Sequence, residues 1–283
     1  MDKEWSVVIK PKTGWFDLKL KEIWQYRDLI VMFLKRNFNS AYKQTILGPL
    51  WFLITPLLSS SMHTPVFDTT ANIPTDGVPH FLFCLCSNTA WAYFSACLTS
   101  TSSTFTGNAG LFGKVYFPRL ITPITNVIYS LLSFVIQLVL LAVAMLIFGL
   151  RGTVIVPDVS IFIMPVLLLQ MALLGLSVGL IISSITTKYR DLSILVGFGI
   201  HLWMYVTPVV YPISQAASIS ESISKIVMLN PVAPIVNNFR YIVLGCGSFD
   251  CFYWGISWIV TFVVLFIGIL IFNRVEKTFM DTV

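Results

Sequence analysis

Six stretches of this chain, residues 46–67, 80–102, 121–148, 159–185, 192–211 and 252–272, contain no Asp, Glu, Lys or Arg. An α-helix needs about 20 mostly apolar residues to cross the hydrocarbon core of a bilayer, and each stretch is long enough. In lipid every backbone polar group has to be satisfied inside the segment, which restricts such runs to helices. The composition agrees. Hydrophobic residues make up 56% of the chain and charged residues only 11%, against about 25% charged in soluble domains. The expectation is an all-α membrane protein with six transmembrane helices over residues 46–273. The flanks, 1–45 and 274–283, carry the polar character, and no sizeable soluble domain fits between the runs.

Charge placement orients the chain. If both termini are cytoplasmic, the inner segments hold 15 of the Lys and Arg residues, nine of them before the first run. The others are Lys114, Arg119, Lys188, Arg190, Arg274 and Lys277, and only Arg151, Lys225 and Arg240 fall outside. This split obeys the positive-inside rule, and one span more or fewer would spoil it.

The first 45 residues do not read as a signal peptide, because residues 17–44 are mixed and charged rather than apolar. Leu20, Ile23, Trp24, Val31, Leu34, Phe38 and Ala41 share one helical face there, opposite Lys21, Gln25, Asp28, Lys35 and Asn39. A basic amphipathic helix beside a membrane is expected to lie in the interface plane, with a solvated helix packed on the loops as the alternative. Residues 212–251 are half apolar, with 227–229 and 235–244 too short to span and Asn230-Pro231 and Pro234 as breaks. A pair of short re-entrant or interfacial helices on the outer face fits that pattern.

Several chemistries are missing. The six runs carry no buried carboxylates or cations of the kind that ion- and proton-coupled carriers use. His63 and His201 are the candidates within them, and hydrogen-bonded structure is the expected role of a lone histidine. The only Gly-Lys pair, Gly113-Lys114, lacks the earlier Gly and the following Ser or Thr of a phosphate-binding loop. Gly175-Leu176-Ser177-Val178-Gly179 matches a nucleophile-elbow string, but inside an apolar run and not on a strand-to-helix turn. Gly175 and Gly179 read instead as a close-packing pair, within the chain rather than with a second copy. Ser100, Ser102 and Ser103 read as satisfying helix-end backbone. No metal-ligand cluster, catalytic residue or nucleic-acid partner is expected. Cys246 and Cys251 could pair on the outer side, whereas Cys84, Cys86 and Cys97 read as core. Trp91 and Trp203 fall near mid-span, where stacking on a sugar or core packing would each use them.

The basic, aromatic segment 106–119, in which Pro118 would end a small helix, and residues 188–191 are inner features that could receive mechanical input. With 34–38 (Leu-Lys-Arg-Asn-Phe), 42–51 (Tyr-Lys-Gln-Thr-Ile-Leu-Gly-Pro-Leu-Trp), 114–119 (Lys-Val-Tyr-Phe-Pro-Arg), 189–191 (Tyr-Arg-Asp) and 229–231 (Leu-Asn-Pro), their order and spacing resemble the membrane subunits of ABC-2-type polysaccharide exporters. The resemblance runs from about residue 26 to 272. It implies a homodimer in a bacterial inner membrane, joined by two copies of an ATPase subunit that binds ATP and Mg. It implies a substrate glycan on a polyprenyl-pyrophosphate lipid: O-antigen foremost, with capsule, teichoic acid or a non-glycan lipid or drug as alternatives. Carried onto these positions, Lys114 and Arg119 stand at the cytoplasmic gate for the lipid head group. Phe112, Lys114, Tyr116, Phe117, Lys35 and Arg36 couple to the ATPase. Asn230, Pro231 and Arg240 form an outer gate, and Trp51, Phe52, Trp91, Phe94, Trp203 and Tyr205 line the path. The tail before residue 26 is longer than that pattern needs.

Overall fold

The computed structural model describes residues 20–43, 48–70, 73–153, 159–189 and 191–282. Arg190, the tail before residue 20 and the expected start of the first run at residue 46 lie outside these. In chain order the helices are α1 (Leu20–Gln25), α2 (Arg27–Tyr42), α3 (Trp51–Thr64), α4 (His80–Ser102), α5 (Thr104–Phe112) and α6 (Ile121–Leu150). They continue with α7 (Met164–Thr186), α8 (Leu192–Val206), α9 (Ile213–Ile219), α10 (Glu221–Leu229), α11 (Val232–Leu244) and α12 (Cys251–Thr282). There is no strand among the described residues.

Among the described residues four helices are long and apolar enough to cross a membrane: α4, α6, α7 with its 3-10 lead-in, and α12. The second and third expected runs coincide with α4 and α6 almost to the residue. The first is broken. Pro56 sits inside α3, and beyond Thr64 the backbone loosens into a π turn at Pro65–Thr70, since proline removes a backbone donor and crowds the preceding turn. The fifth run, expected to reach residue 211, stops at Val206. Thr207 precedes Pro208, and its extended conformation (φ −87°, ψ 140°) is the one a following proline imposes. At the other extreme, α12 does not end at residue 272 but continues to Thr282.

The core is built around α4, which packs against α7 and α6 most extensively and also against α3 and α11. A helix apolar all round has to be covered all round, and Leu82, Phe83, Leu85, Phe94 and Leu98 are fully buried. Its hydroxyls turn inward on their own helix: Ser87 and Thr89 donate to the carbonyls of Phe83 and Leu85 at 3.0 and 2.8 Å. Ser100, Ser102 and Ser103 do the same at the helix end. The α4–α7 seam depends on absent side chains. A Cβ on Gly175 would sit 2.8 Å from Cys97 Cβ, and one on Gly179 2.5 Å from Thr101 Cβ. The glycine pair therefore packs within the chain. By contrast α6 and α12 leave Val135, Val139, Leu146, Phe262 and Phe266 exposed, an outward surface suited to lipid.

Candidate functional site

One end of the bundle, the expected outer end, is organised by α11. Every residue of this helix except Tyr241 is buried, and Gly245, in a left-handed conformation (φ 68°), stops it. The segment expected to hold two short helices holds three. α9 and α10 form an exposed pair, leaving Ile219, Ile226 and Leu229 uncovered. On α10 the exposed Lys225 ammonium lies 2.7 Å from Glu221 and holds that carboxyl below its usual range. Ser214 on α9 donates to Asp76 across the rim at 3.0 Å.

Asn230 and Pro231, at the entry to α11, are clamped from two sides. Asn230 Oδ1 accepts from Trp203 Nε1 at 3.0 Å and from the Val232 amide at 3.2 Å. Its Nδ2 donates to Thr207 Oγ1 at 2.9 Å. On the other side Trp254 Nε1 donates to Gln170 Oε1 (2.7 Å), Gln170 Nε2 to Ser257 Oγ (2.8 Å), and Ser257 Oγ to the Pro231 carbonyl (2.6 Å). The entry to α11 is thus tied to α7, α8 and α12 with the polar atoms of these side chains paired.

Arg240 anchors the far half of α11. It is the largest fully buried side chain, 1% exposed. Nη1 donates to Ser87 Oγ at 3.1 Å and to the Pro208 carbonyl at 3.2 Å, and Nη2 to Asn237 Oδ1 at 3.4 Å. The guanidinium carbon lies 4.2 Å from the centre of the Phe83 ring. Among the described residues no carboxylate forms an ion pair with it. The cation is held by neutral acceptors and a ring face, an arrangement that guanidinium geometry suits and ammonium does not. Cys246, just beyond, is a buried free thiol and Cys251 an exposed one.

The opposite end, the expected inner one, is held by rings. Phe33 of α2 meets Phe117 edge-on at 5.6 Å, and Phe117 meets Phe112 at 5.7 Å. Phe105 stacks on Phe272 of α12 at 4.7 Å. α5 covers residues expected to be loop. It ends at Gly113, and Pro118 does not terminate it but opens the turn into α6, its carbonyl accepting from the Ile121 amide. Arg119 is half-buried 5.6 Å over Phe112, and its Nη1 donates to the Glu276 carbonyl on α12. Burial lowers this guanidinium from the usual arginine value, while Glu276 and Tyr116 act the other way. Lys114 and Tyr116 are exposed beside it. Along α1 and α2, Ile23, Tyr26, Ile30 and Phe33 pack inward. The expected single apolar stripe is therefore divided, with Trp24, Val31 and Phe38 left exposed. Lys35 and Arg36 are exposed as well, Arg36 lying 4.7 Å over Phe33.

The aromatic candidates divide in the same way. Trp91 and Phe94 are buried, and Trp203 packs edge-on against both, at 6.4 and 5.3 Å. Trp51 and Tyr205 are exposed, with Phe52 intermediate. The structure brings Trp203 to Asn230, and Phe112 to both Phe117 and Arg119, while Lys114 is exposed. Sequence reasoning passed over Gln170, Ser257, Thr207 and Ser87. The signal was present, since a polar side chain in an apolar run usually bonds to another helix.

The comparisons fit this architecture. A family model described as "ABC-2 type transporter" matches residues 28–244. Two relatives from Klebsiella pneumoniae, each named O-antigen export system permease protein RfbA, are 26% and 25% identical over 256 residues, 90% of this chain and 94% of theirs. One of the same name from Myxococcus xanthus is 27% identical over 223 residues, 79% of this chain and 83% of its own. With the match extending from α2 to the end of α11, the chain belongs to the ABC-2 type transporter family.

Proposed function

We propose that this chain is the membrane-spanning permease subunit of an ABC exporter that moves a lipid-linked polysaccharide, O-antigen foremost, outward across the cytoplasmic membrane. The observation that carries the reading is similarity to O-antigen export permeases over nine-tenths of this chain and of theirs. Absence of charge from the six runs and of a phosphate-binding loop supports a chain driven from outside itself. Two copies of this chain join two ATPase subunits, and ATP and Mg are bound there. α3 and α8 complete the count of six crossings, with residues 1–45 and 274–283 on the cytoplasmic side and α9–α11 on the outer side.

The sugar path runs along the exposed faces of α3 and α8, where Trp51, Phe52 and Tyr205 offer flat rings. Trp91, Phe94 and Trp203 form the wall behind. Lys114 and Arg119 receive the pyrophosphate head at the inner mouth, where a planar guanidinium suits a diphosphate. The ATPase docks on Lys35, Arg36, Phe112, Tyr116 and Phe117. The outer gate pivots at Asn230-Pro231 with Arg240 as its latch.

A strain lacking this chain is expected to lose its surface polysaccharide and to accumulate lipid-linked glycan inside. Arg119→Ala is expected to lower surface glycan by about tenfold with the protein still in the membrane. Normal glycan staining in the deletion strain would sink the substrate assignment in favour of an ABC-2 exporter of lipids or drugs. Normal staining in the Arg119 variant alone would remove that residue from the mouth.

A further inference from the structure

On the inner side, two asparagines from different helices are hydrogen-bonded in series. Asn37 of α2 accepts at Oδ1 from Arg36 Nε and Nη2, at 3.4 and 3.3 Å. Its Nδ2 donates to Oδ1 of Asn126 on α6 at 3.2 Å. Asn126 Nδ2 in turn donates to the backbone carbonyl of Ser100 on α4 at 3.1 Å. That carbonyl also accepts from Ser103 Oγ at 3.1 Å. Ser103 is the residue at which α4 stops and α5 begins, with non-helical dihedrals (φ −90°, ψ 10°).

The position of the acceptor is what gives the chain of bonds a consequence. Ser100 is in the last turn of α4, where carbonyls lack partners in the helix. At the break before α5 this one is met locally by Ser103 Oγ and, from a third helix, by Asn126. Each asparagine uses its acceptor on one side and its donor on the other, so neither can shift without loosening a neighbour. Hydrogen bonds weaken over a few tenths of an ångström and with angle. The Phe33–Phe117 contact nearby tolerates sliding far better. The aromatic contacts keep α2 near the bundle; the asparagines fix its register against the central helix.

Resting on the reading of the chain as an ATPase-driven permease, we propose that Asn126 is a positioning residue of the transport cycle. It registers interfacial α2 against the α4–α5 break, so that motion of either inner element reaches the same point of α4. α5 leads directly into the segment of Phe112–Arg119, so the two inner surfaces move as one through Asn126. Asn126 touches no substrate in this scheme, and Asn37 acts only through it.

The test uses the complete complex of this chain with its ATPase subunit, in liposomes for hydrolysis and in cells for export. Asn126→Leu keeps the branched shape of the side chain and the helix contact filled; Asn37→Ala cuts the same series one step earlier. Each variant is expected to co-purify with the ATPase and to hydrolyse ATP within about twofold of wild type while surface glycan falls by about tenfold, the size of a typical coupling between sites. The double variant is expected to be no worse than either single one, because the two act in series. Parallel loss of folded protein, hydrolysis and export would reduce the pair to ordinary packing and overturn the proposal. So would multiplicative losses in the double variant, or normal export in Asn126→Leu. Failure of the permease reading shows elsewhere, as unchanged surface glycan when the whole chain is deleted, and it would take the proposal with it.

Discussion

At the outer end a guanidinium, Arg240, is wholly buried against neutral oxygens and the Phe83 ring. At the inner end another, Arg119, rests half-buried on Phe112 and donates to the Glu276 carbonyl of α12. Both are cations over rings, yet their surroundings make them opposite devices. A fully buried polar set resists small displacements, because a lost partner exposes a desolvated group and costs about 1–3 kcal/mol. A cluster of rings gives way gradually. The set around Arg240 therefore resists small displacements more than the ring cluster around Phe112 does.

The largest expected effect tests the outer half of that contrast. Phe83→Ala removes a fully buried ring, which costs about 3–5 kcal/mol in cavity and lost packing. It also strips the π face from a desolvated cation, worth about 2 kcal/mol more. Arg240→Met removes the cation itself. It leaves the Pro208 carbonyl and Asn237 Oδ1 less well paired but relieves the burial of a charge with no carboxylate in ion-pair contact, so its expected cost is about 1–3 kcal/mol. Thermal unfolding of the purified chain in detergent should therefore rank Phe83→Ala well below Arg240→Met. The reverse order would mean that the guanidinium is a net stabiliser and that its ring is incidental.

An intermediate effect tests the inner half. Phe105 and Phe272 stack at 4.7 Å with their rings 25° apart, and both are fully buried. Phe272→Leu is expected to cost about 1 kcal/mol, since a volume change of this size is absorbed by neighbours that slide. A double-mutant cycle between the two should return a coupling of about 1 kcal/mol, typical of an aromatic pair. Coupling much above that would mean that the inner cluster is as rigid as the outer clamp, and the contrast would collapse.

The sequence made some of this visible and hid the rest for identifiable reasons. α4 and α6 were legible because nothing interrupts their apolar runs, and lipid leaves such runs no alternative to helix. The early end of α8 was legible in principle from Thr207-Pro208 and was missed because hydropathy continues across it to Tyr211. α11 was expected as one of two short re-entrant or interfacial helices, but its near-complete burial was not, because thirteen residues are too few to span. Its burial depends on α4, α7 and α12 closing around it, which no local pattern records. Arg240 was counted with the outer-loop charges for the same reason. The split of the α2 stripe follows from the dock on α6: periodicity shows which residues share a face, not which part of that face another helix will cover.

The smallest effect separates local from long-range ties at the outer end. Asp250 sits just before α12 and its Oδ1 accepts from the Tyr253 amide at 3.1 Å, satisfying a backbone donor that the first turn of a helix cannot pair. Its own amide donates to Asn238 Oδ1 on α11 at 3.1 Å, a bond made by the backbone and therefore kept in any non-proline variant. Asp250→Ala thus deletes the cap and leaves the link to α11 standing. The expected cost is about 1 kcal/mol, and Asp250→Asn should recover most of it, because Asn and Asp cap about equally well. Both are read from the unfolding midpoint of the purified chain. A full loss in Asp250→Asn would show that the carboxylate charge matters at this position. In that case Arg240 would no longer be the only charge on which the outer clamp depends, and the account of the clamp as a set of neutral acceptors around one buried cation would have to be given up.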